Sequence, residues 1–364
     1  MLVHICCSVD SHFFLQKLQN DYPDEKLVGF FYDPNIHPYA EYRLRLLDVK
    51  RSCDLLGIDL VEGEYDFDSW LEVVRGHDKD PEKGERCKKC FDHRFEVSMQ
   101  KAKELGHAKM STSLLVSPLK SQEQLIASGE RFRKKYGVEF VHFDYRSSGG
   151  TQTQSEVSKE QKLYRQDYCG CIYGLTNQRE AQDRLADELL SPICGRVLPA
   201  SIEERLDLYN KRLDLETKHI DYKIIKEKFL NYRLFSLTLK CDGKTTPAHA
   251  LFYSTMPRKT TKASVEFESS GVAYFSREEL KLIDLDLFNS LAKRSYANIY
   301  DLIYNPPSVE EELSIREQIC GVGFNLSPIL VVQDLGIKKL ELYLDAKVYE
   351  DTKERLLEFK PHKL

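Results

Sequence analysis

The chain has 364 residues, 30% of them charged, and a formal net charge of -5 at pH 7. This length is sufficient for a sizeable core and for two domains. The sequence contains no apolar run long enough to span a bilayer, which excludes a predicted membrane segment. Its mildly acidic net charge excludes a chain that is basic overall, as many nucleic-acid-binding proteins are, although one face of the protein can still be basic.

The first half alternates short apolar runs with amphipathic stretches. The runs that predict strands are LVHICC, KLVGFFY, IDLVEGEY, HAKMSTSLLVS and VEFVHFDY. Helices are predicted between them, and several end in Gly just after a cationic last turn. Strands that alternate with helices imply right-handed crossovers, so we predict an α/β fold with a doubly wound parallel sheet.

Unusual residues follow several of these strands. Cys6 and Cys7 end the first strand, and the loop DPNIHP follows the second. Ligands of open parallel sheets bind outside the carboxyl ends of the strands, at the switch point in strand order. We therefore expect a site at this edge, with Asn35 and His37 facing a substrate. Turn formation explains Asn35 equally well.

The second half has a different pattern. The stretch ICGRVLPAS is a predicted linker, a helical run follows it, and later strand-like stretches alternate apolar with polar residues. This alternation indicates antiparallel strands with one wet face. We predict a catalytic metal-binding domain over 1–190, a helical linker over 191–230 and a smaller α+β accessory domain over 231–364. REELKLIDLDLFNSLAKRSY is predicted to be helical.

Six of the ten cysteines form three close pairs. The N-terminus lacks the features of a signal peptide, so we expect a cytoplasmic protein, in which paired cysteines indicate metal binding or redox chemistry. The side chains of adjacent cysteines diverge, so they can bind different irons of a cubane cluster. Cys6, Cys7, Cys87 and Cys90 provide the four thiolates that a 4Fe–4S cluster needs. A zinc site and buried apolar thiols are the alternatives.

The thiols of the C-x-x-C pair are expected to have lowered pKa values, because two lysines separate them. The C-G-C pair, Cys169 and Cys171, allows two interpretations. A disulfide across one residue closes a small, strained and labile ring, which suits a redox-active pair. Alternatively, the two thiols hold another iron together with Asp10.

Single polar residues near these pairs also allow more than one role. Asp10 stands at a predicted helix start, where N-capping competes with metal or catalytic duty. His4 lies inside the first strand and is predicted to be a hydrogen-bonded core residue. Tyr164 and Arg165 precede the C-G-C pair, and we expect them to stack on a base or hold a phosphate.

Five motifs occur in the order LVHICCSVDS, VGFFYDPNIHPYAEYRLRL, GERCKKCFDHR, STSLLVSP and LYRQDYCGCIY. Over about residues 1–175 they resemble the QueH-type epoxyqueuosine reductases. The resemblance implies a HUP-type, Rossmann-like fold and reduction of epoxyqueuosine to queuosine at the wobble position of tRNA. The substrates would be the aspartate, asparagine, histidine and tyrosine tRNAs with GUN anticodons. The segment after residue 190 lies outside the known core of the family.

The resemblance also implies site roles. Cys6, Cys7, Cys87 and Cys90 would hold a 4Fe–4S cluster. The C-G-C thiols and Asp10 would form the redox site or hold a second iron, and a separate electron donor would be needed.

Two other functions compete with the reductase. A PP-loop-like tRNA thiolase needs a glycine-rich phosphate loop after the first strand, where this chain has CCSVDS. The third alternative is a non-enzymatic zinc-binding RNA module. Cations in MPRKTTK and LAKRSY are compatible with a second domain that grips the tRNA body, and equally with a structural or dimerising domain.

Overall fold

The computed structural model describes residues 1–147, 149–192, 194–277, 279–322 and 324–359. Parts of the predicted YRSSGG loop, the linker, the REELKLIDLDLFNSLAKRSY helix and the accessory domain fall on positions 148, 193, 278, 323 and 360–364, outside the described residues. The chain divides into two compact units, Met1–Ala186 with Tyr209–Asp214 and Asp187–Leu208 with Leu215–Leu364. No helix in the described ranges is long and apolar enough to cross a membrane.

The first unit contains a five-stranded parallel sheet. Its strands are β1 Leu2–Ile5, β2 Val28–Phe31, β3 Asp59–Glu62, β4 Lys109–Thr112 and β5 Glu139–Phe140. They lie in the order β3-β2-β1-β4-β5, and every pair is parallel. The predicted doubly wound parallel sheet is therefore confirmed.

Helices connect these strands. They are α1 Ser8–Asp21, α2 Tyr39–Leu56, α3 Phe67–Val73, α4 Glu85–Glu104, α5 Gln122–Tyr136, α6 Gly150–Glu160 and α7 Ile172–Ala181. β1 and β2 are buried along their whole length, as expected for a parallel sheet covered on both faces. Their side chains pack with the apolar sides of α1, α2 and α4 in one core.

The order of the strands determines where a ligand site is expected in the first unit. The chain runs from β1 outward to β2 and β3, then returns to β4 on the other side of β1. The switch point thus lies between β1 and β4, where their carboxyl ends leave a crevice. Residues that directly follow β1 and β4 line the cavity described below, including Cys6 and Leu114.

The second unit contains a mixed eight-stranded sheet in the order β7-β6-β13-β9-β10-β11-β12-β8. The β11–β12 pair is parallel, and the other pairs are antiparallel. Its strands are β6 Tyr222–Cys241, β7 Lys244–Thr246, β8 His249–Ala250, β9 Thr260–Ser269, β10 Val272–Phe275, β11 Lys281–Asp284, β12 Ile329–Val332 and β13 Lys339–Glu358. The helices are α8 Ile202–Thr217, α9 Leu285–Ala292, α10 Ile299–Tyr304 and α11 Val309–Cys320. Helix α8 contributes Tyr209–Asp214 to the first unit.

One predicted helix is wrong in part. The stretch REELKLIDLDLFNSLAKRSY was expected to be helical throughout, but Lys281–Asp284 forms β11 between β10 and β12. The helix starts only at Leu285, where the Asp284 side chain accepts a hydrogen bond from the N–H of Leu287. Leu282 and Ile283 are fully buried in the sheet. Strand pairing on both sides therefore overrides the helical pattern of a short segment.

Candidate active site

A cavity of about 120 Å³ lies at the carboxyl edge of the first sheet. Its walls come from residues after β1, β2 and β4, from the start of α4 and from the segment before α7. Five cysteine side chains contribute to the lining, Cys6, Cys87, Cys90, Cys169 and Cys171. Three cysteine pairs that are far apart in the sequence therefore meet at one site.

The first pair lies where β1 passes into α1. Cys7 is the N-cap residue of α1, and the Sγ atoms of Cys6 and Cys7 are 3.8 Å apart. Ligand atoms of Cys6, Cys7 and Asp10 lie within 4.8 Å of one another, so this corner could hold a metal ion. Cys7 is a buried core residue and is not among the described residues that line the cavity.

Asp10 lies in the first turn of α1 and is buried. Because Cys7 occupies the N-cap position, the capping role considered for Asp10 is wrong. The Oδ1 atom of Asp10 accepts a hydrogen bond from the Nε2 of Gln154 at 2.6 Å. Burial raises the pKa of the Asp10 carboxyl, although hydrogen bonds from Gln154 and Ser117 act in the opposite direction. The carboxyl therefore holds a proton more readily than an exposed one.

The second pair lies at the start of α4. The buried guanidinium of Arg86 donates to three carbonyl oxygens of the loop 77–80, at 2.7, 3.0 and 3.2 Å, and so fixes the chain before the helix. The backbone N–H of Lys83 donates to the Sγ of Cys87 at 3.3 Å. Such donors at a helix N-terminus favour a thiolate or a metal-bound sulfur.

The electrostatics of this second pair differ from the prediction. Burial raises the pKa of both Cys87 and Cys90. The expectation that the intervening Lys88 and Lys89 lower these pKa values is wrong, because the cost of desolvating a thiolate exceeds the effect of half-exposed cations. The charge of Lys88 is also partly neutralised, because its Nζ forms an ion pair with the Oε1 of Glu85 at 3.4 Å.

The third pair runs directly into α7, with Cys171 as the N-cap residue. Gly170 has φ +103°, and a Cβ at this position would lie 2.8 Å from the Cγ1 of Ile36. Only glycine fits this conformation and this contact. A hydrogen bond from Cys171, assisted by the charge of Lys120, lowers the pKa of Cys169 to about 5. The same hydrogen bond raises the pKa of Cys171, so the pair combines a thiolate with a thiol.

Arg45 of α2 holds the backbone of this segment. Its Nη1 donates to the carbonyl oxygen of Cys169 at 3.2 Å and its Nη2 to that of Tyr168 at 3.0 Å. Its Nε donates to Glu41 Oε1 at 2.7 Å, and the hydroxyl of Tyr164 donates to Glu41 Oε2 at 2.8 Å. Tyr164, a predicted substrate residue, is thus buried in this network and does not belong to the described cavity lining.

The loop after β2 is tied to the C-G-C segment. The backbone N–H of His37 donates to the carbonyl oxygen of Gly170 at 2.8 Å. The hydroxyl of Tyr168 donates to the backbone carbonyl oxygen of His37, also at 2.8 Å. The imidazole of His37 stacks on Phe67, and neither residue belongs to the described lining. Asn35, in contrast, lines the cavity.

Two buried acceptors in the lining have no hydrogen-bond partner among the residues that the structure describes. The Oδ1 of Asn35 and the Oε1 of Gln166 are buried without a hydrogen bond to any described atom. Buried polar atoms are nearly always hydrogen-bonded, so such atoms in a cavity indicate a polar ligand. The predicted substrate residue Arg165 is exposed and outside the described lining, whereas Gln166 and Tyr168 belong to it.

Buried charged and polar groups, of which Arg94 itself lines the cavity, are hydrogen-bonded to one another. Arg94 of α4 forms an ion pair with Asp33, and the ring of His4 hydrogen-bonds to the hydroxyl of Thr112 at 2.9 Å. The prediction that His4 is a hydrogen-bonded core residue is confirmed. Burial raises the pKa of Asp33 to about 6, although Arg94 lowers it.

Sequence reasoning missed several lining residues, namely Arg45, Trp70, Arg94, Lys120 and Gln166. Arginines and lysines on amphipathic helices usually face water, so the pattern of α2 and α4 carries no signal that Arg45, Arg86 and Arg94 are buried. A signal for Lys120 existed, because it follows the SP motif after the fourth predicted strand.

The sequence is similar to those of known proteins. The family model for epoxyqueuosine reductase QueH matches residues 1–177. The QueH of Helicobacter pylori is 38% identical to this chain over an alignment 367 residues long. The alignment covers 96% of this chain and 98% of that protein. The QueH of Histophilus somni is 37% identical over 194 residues, covering 52% of this chain and 79% of that protein.

The chain belongs to the epoxyqueuosine reductase QueH family. It is therefore a reductase, and the family predicted from the five motifs is confirmed. The QueH family model ends at residue 177, but the Helicobacter pylori relative aligns over almost the whole chain. The second unit is thus shared with a relative, although it lies outside the family core. Among solved structures, U34-tRNA thiolase NcsA from Methanococcus maripaludis aligns with a TM-score of 0.31 and 14% identity, over 59% of this chain and 72% of that one.

Proposed function

We propose that this chain reduces epoxyqueuosine to queuosine at the wobble position of tRNA, in the cytoplasm. Its substrates are the aspartate, asparagine, histidine and tyrosine tRNAs, which carry GUN anticodons. The observation that supports this most directly is the convergence of five cysteine side chains on one cavity in a QueH family chain. The base must leave the anticodon stack to reach a cavity of this kind.

The donor set fits an iron–sulfur cluster. We assign Cys6, Cys7, Cys87 and Cys90 as its four thiolate ligands, because thiolates are the usual ligands of such clusters. The hydrogen bond from the backbone N–H of Lys83 to the Sγ of Cys87 supports a metal-bound thiolate at Cys87. When bound, a 4Fe–4S cluster supplies electrons one at a time.

A zinc ion held by four thiolates is the alternative to a cluster, and it has its own spacing requirement. Thiolates around a tetrahedral zinc ion lie about 3.8 Å from one another, given a Zn–S bond of about 2.3 Å. Among the described residues, no three cysteine sulfurs lie within 4.8 Å of one another, and the group that meets this limit includes the carboxyl of Asp10. The 3.8 Å between the Cys6 and Cys7 sulfurs suits either group, so the preference for a cluster rests on the count of four thiolates.

The C-G-C pair supplies the reducing equivalents in this proposal. Opening an epoxide to an alkene breaks both C–O bonds, forms a C=C bond and releases the oxygen as water. The step consumes two electrons and two protons. Oxidation of the Cys169 thiolate and the Cys171 thiol to a disulfide forms one S–S bond and releases two electrons and one proton. Protonated Asp10, whose pKa burial raises, supplies the second proton. A separate electron donor then returns the disulfide to the dithiol.

Other lining residues have assigned roles in the same step. Lys120 pairs with Glu82 at 3.3 Å and lines the cavity. Its ammonium stabilises the negative charge that develops on the epoxide oxygen as the ring opens. The unpartnered acceptors of Asn35 and Gln166 bind donor groups of the substrate. We assign Asp10, buried with a raised pKa, as a store for one of the protons.

A direct assay tests this function. The protein is purified without oxygen, its iron and sulfide are measured, and it is incubated with a dithiol reductant and tRNA that contains epoxyqueuosine. Nucleosides from digested tRNA are then separated by chromatography and mass spectrometry. We expect queuosine to replace epoxyqueuosine with the wild-type protein and not with Cys171→Ser. Unchanged epoxyqueuosine with an iron-loaded, folded protein and an active reductant would refute the proposal.

A further inference from the structure

A concave groove lies on the sheet of the second unit, apart from the cavity described above. Its volume is about 550 Å³, and its described lining consists of Thr238, Lys240, Arg258, Thr260, Thr261, Lys262, Arg277, Glu341, Leu342 and Tyr343. Four of these side chains are cationic and one is acidic. This local excess of positive charge occurs in a chain whose net charge is -5.

Strand register places six of these residues on one face of the sheet. Lys240 on β6 pairs with Glu341 on β13, which pairs in turn with Lys262 on β9. In the next row, Thr238 is opposite Tyr343, which is opposite residue 260. Side chains alternate across a strand, so both rows lie on the same side of the sheet. The intervening Leu239 and Leu342 belong to the core, and Leu342 also borders the groove.

Ion pairing neutralises only part of the positive charge. Lys262 is neutralised by Glu341, their charged atoms being 2.6 Å apart, and the neighbouring Lys259 is neutralised by Asp345, also at 2.6 Å. Lys240, Arg258 and Arg277 are exposed and form no salt bridge with any residue that the structure describes. The groove therefore offers three cations to a ligand.

The lining chemistry identifies the class of partner. Protein interfaces are enriched in buried aromatic and apolar anchors and depleted of lysine, whereas this lining combines cations with threonine hydroxyls. Lysine, arginine and hydroxyl side chains are the usual contacts to phosphate oxygens. We infer that the groove binds the phosphodiester backbone of the substrate tRNA, outside the anticodon. This inference rests on the proposed function, since that function makes tRNA the substrate.

The test measures binding of full-length tRNA without the modified base, so that binding does not depend on the reaction. A fluorescent transcript with a GUN anticodon is titrated with protein at several salt concentrations. The variant Lys240→Ala/Arg258→Ala/Arg277→Ala should bind about tenfold more weakly, and the slope of log K against log salt should fall by about three, one for each lost phosphate contact.

A matched control removes the same charge elsewhere. Lys218, Lys223 and Lys226 are exposed residues of the second unit outside the groove lining, and their triple alanine variant should keep the wild-type slope. A third variant, Glu341→Gln, removes the acidic residue and frees Lys262, so it should bind tRNA more tightly. This gain cannot result from misfolding.

Outcomes separate this inference from the proposed function. Reduction of an isolated anticodon stem-loop should be the same in the wild type and the groove triple variant. If the groove triple keeps wild-type affinity and slope, or loses no more than the control triple, the inference is overturned while reductase activity stands. If tRNA binding behaves as expected but no protein forms queuosine, the proposed function fails and the groove assignment stands.

Discussion

The guanidinium of Arg45 donates a hydrogen bond to the carbonyl oxygen of Cys169 at 3.2 Å. Helix α2 thereby fixes the backbone on which the two thiols of the C-G-C segment are carried. Arg45 is 2% exposed and its partner Glu41 is 1% exposed, so the pair is shielded from solvent. Arg45 is not among the residues assigned to the chemistry, and we regard it as a positioning residue for the dithiol.

Replacement of Arg45 by Lys should lower kcat much more than it changes KM. Lysine keeps the charge but cannot donate to two carbonyl oxygens and to Glu41 in one plane. Small displacements of reacting groups cost up to about a hundredfold in rate, so a loss of this order is expected. Steady-state kinetics with epoxyqueuosine-containing tRNA measures both parameters. Iron content should stay at the wild-type level.

Arg43→Lys is the matched control, because Arg43 is an exposed arginine on the same helix. It should leave kcat unchanged. A folded Arg45→Lys protein with wild-type kcat would show that the Arg45 hydrogen bonds do not position the pair.

Gly170→Ala should reduce activity without preventing cluster assembly. The added Cβ would lie 2.8 Å from Ile36 and 3.3 Å from Arg45 Nη1, at φ +103°. Gly76→Ala is the control, since Gly76 has φ +81° and a Cβ added there would meet no atom within 4 Å. Both variants carry a backbone cost of about 1–3 kcal/mol, but only Gly170→Ala disturbs the redox pair. Equal activity in the two variants would contradict this contact argument.

Much of the first unit could be predicted from sequence, because parallel strands and their crossovers leave a strong local pattern. Cys6 follows an apolar run and Cys87 precedes an amphipathic helix, so both could be assigned to one edge of the sheet. The topology then brings them to the same cavity. This step needs only the strand order and the rule for ligand sites at switch points.

Other features depend on contacts that no local pattern contains. The hydroxyl of Tyr164 binds Glu41 rather than substrate, and this follows only from the packing of α2 against residue 164. The same holds for the buried Arg45, which has the sequence context of a solvated helix residue. In the second unit, β11 forms because its neighbours in the sheet come from residues 272–275 and 329–332.

Substitution of the assigned cluster ligands should remove iron and sulfide. In Cys87→Ser/Cys90→Ser, two of the four thiolate ligands are lost, so the anaerobic protein should be colourless and lack the visible absorption of a 4Fe–4S cluster. Iron and sulfide assays measure the change. Full cluster content in this double variant would exclude the assignment.

Cys171→Ser separates the roles of the cysteine pairs. If Cys169 and Cys171 form a redox dithiol, this variant keeps the cluster and its sulfide but forms no queuosine. Loss of one iron without loss of sulfide would instead assign the pair to a second iron, and loss of both would make the pair a cluster ligand.

The reactivity of Cys169 should persist to low pH in the metal-free protein. Its pKa is lowered to about 5 by the hydrogen bond from Cys171 and the charge of Lys120, so the thiolate is present above that pH and lost below it. The rate of alkylation by iodoacetamide should therefore be level from about pH 6 upward, and fall about tenfold per pH unit below the pKa. Peptide mass spectrometry follows the modification of Cys169 separately from that of the other cysteines.

Cys171→Ala provides the decisive comparison for this pH profile. Without the Cys171 hydrogen bond the pKa of Cys169 should rise towards that of an ordinary thiol, so alkylation at pH 6 should become slow and increase steeply between about pH 7 and 9. Cys53 serves as an internal control, because burial raises its pKa to about 12 and its alkylation should be negligible across this range. If the alkylation rate of Cys169 in the wild-type protein still rises between about pH 7 and 9, the two thiols do not share a proton. Another group in the cavity would then have to activate the dithiol.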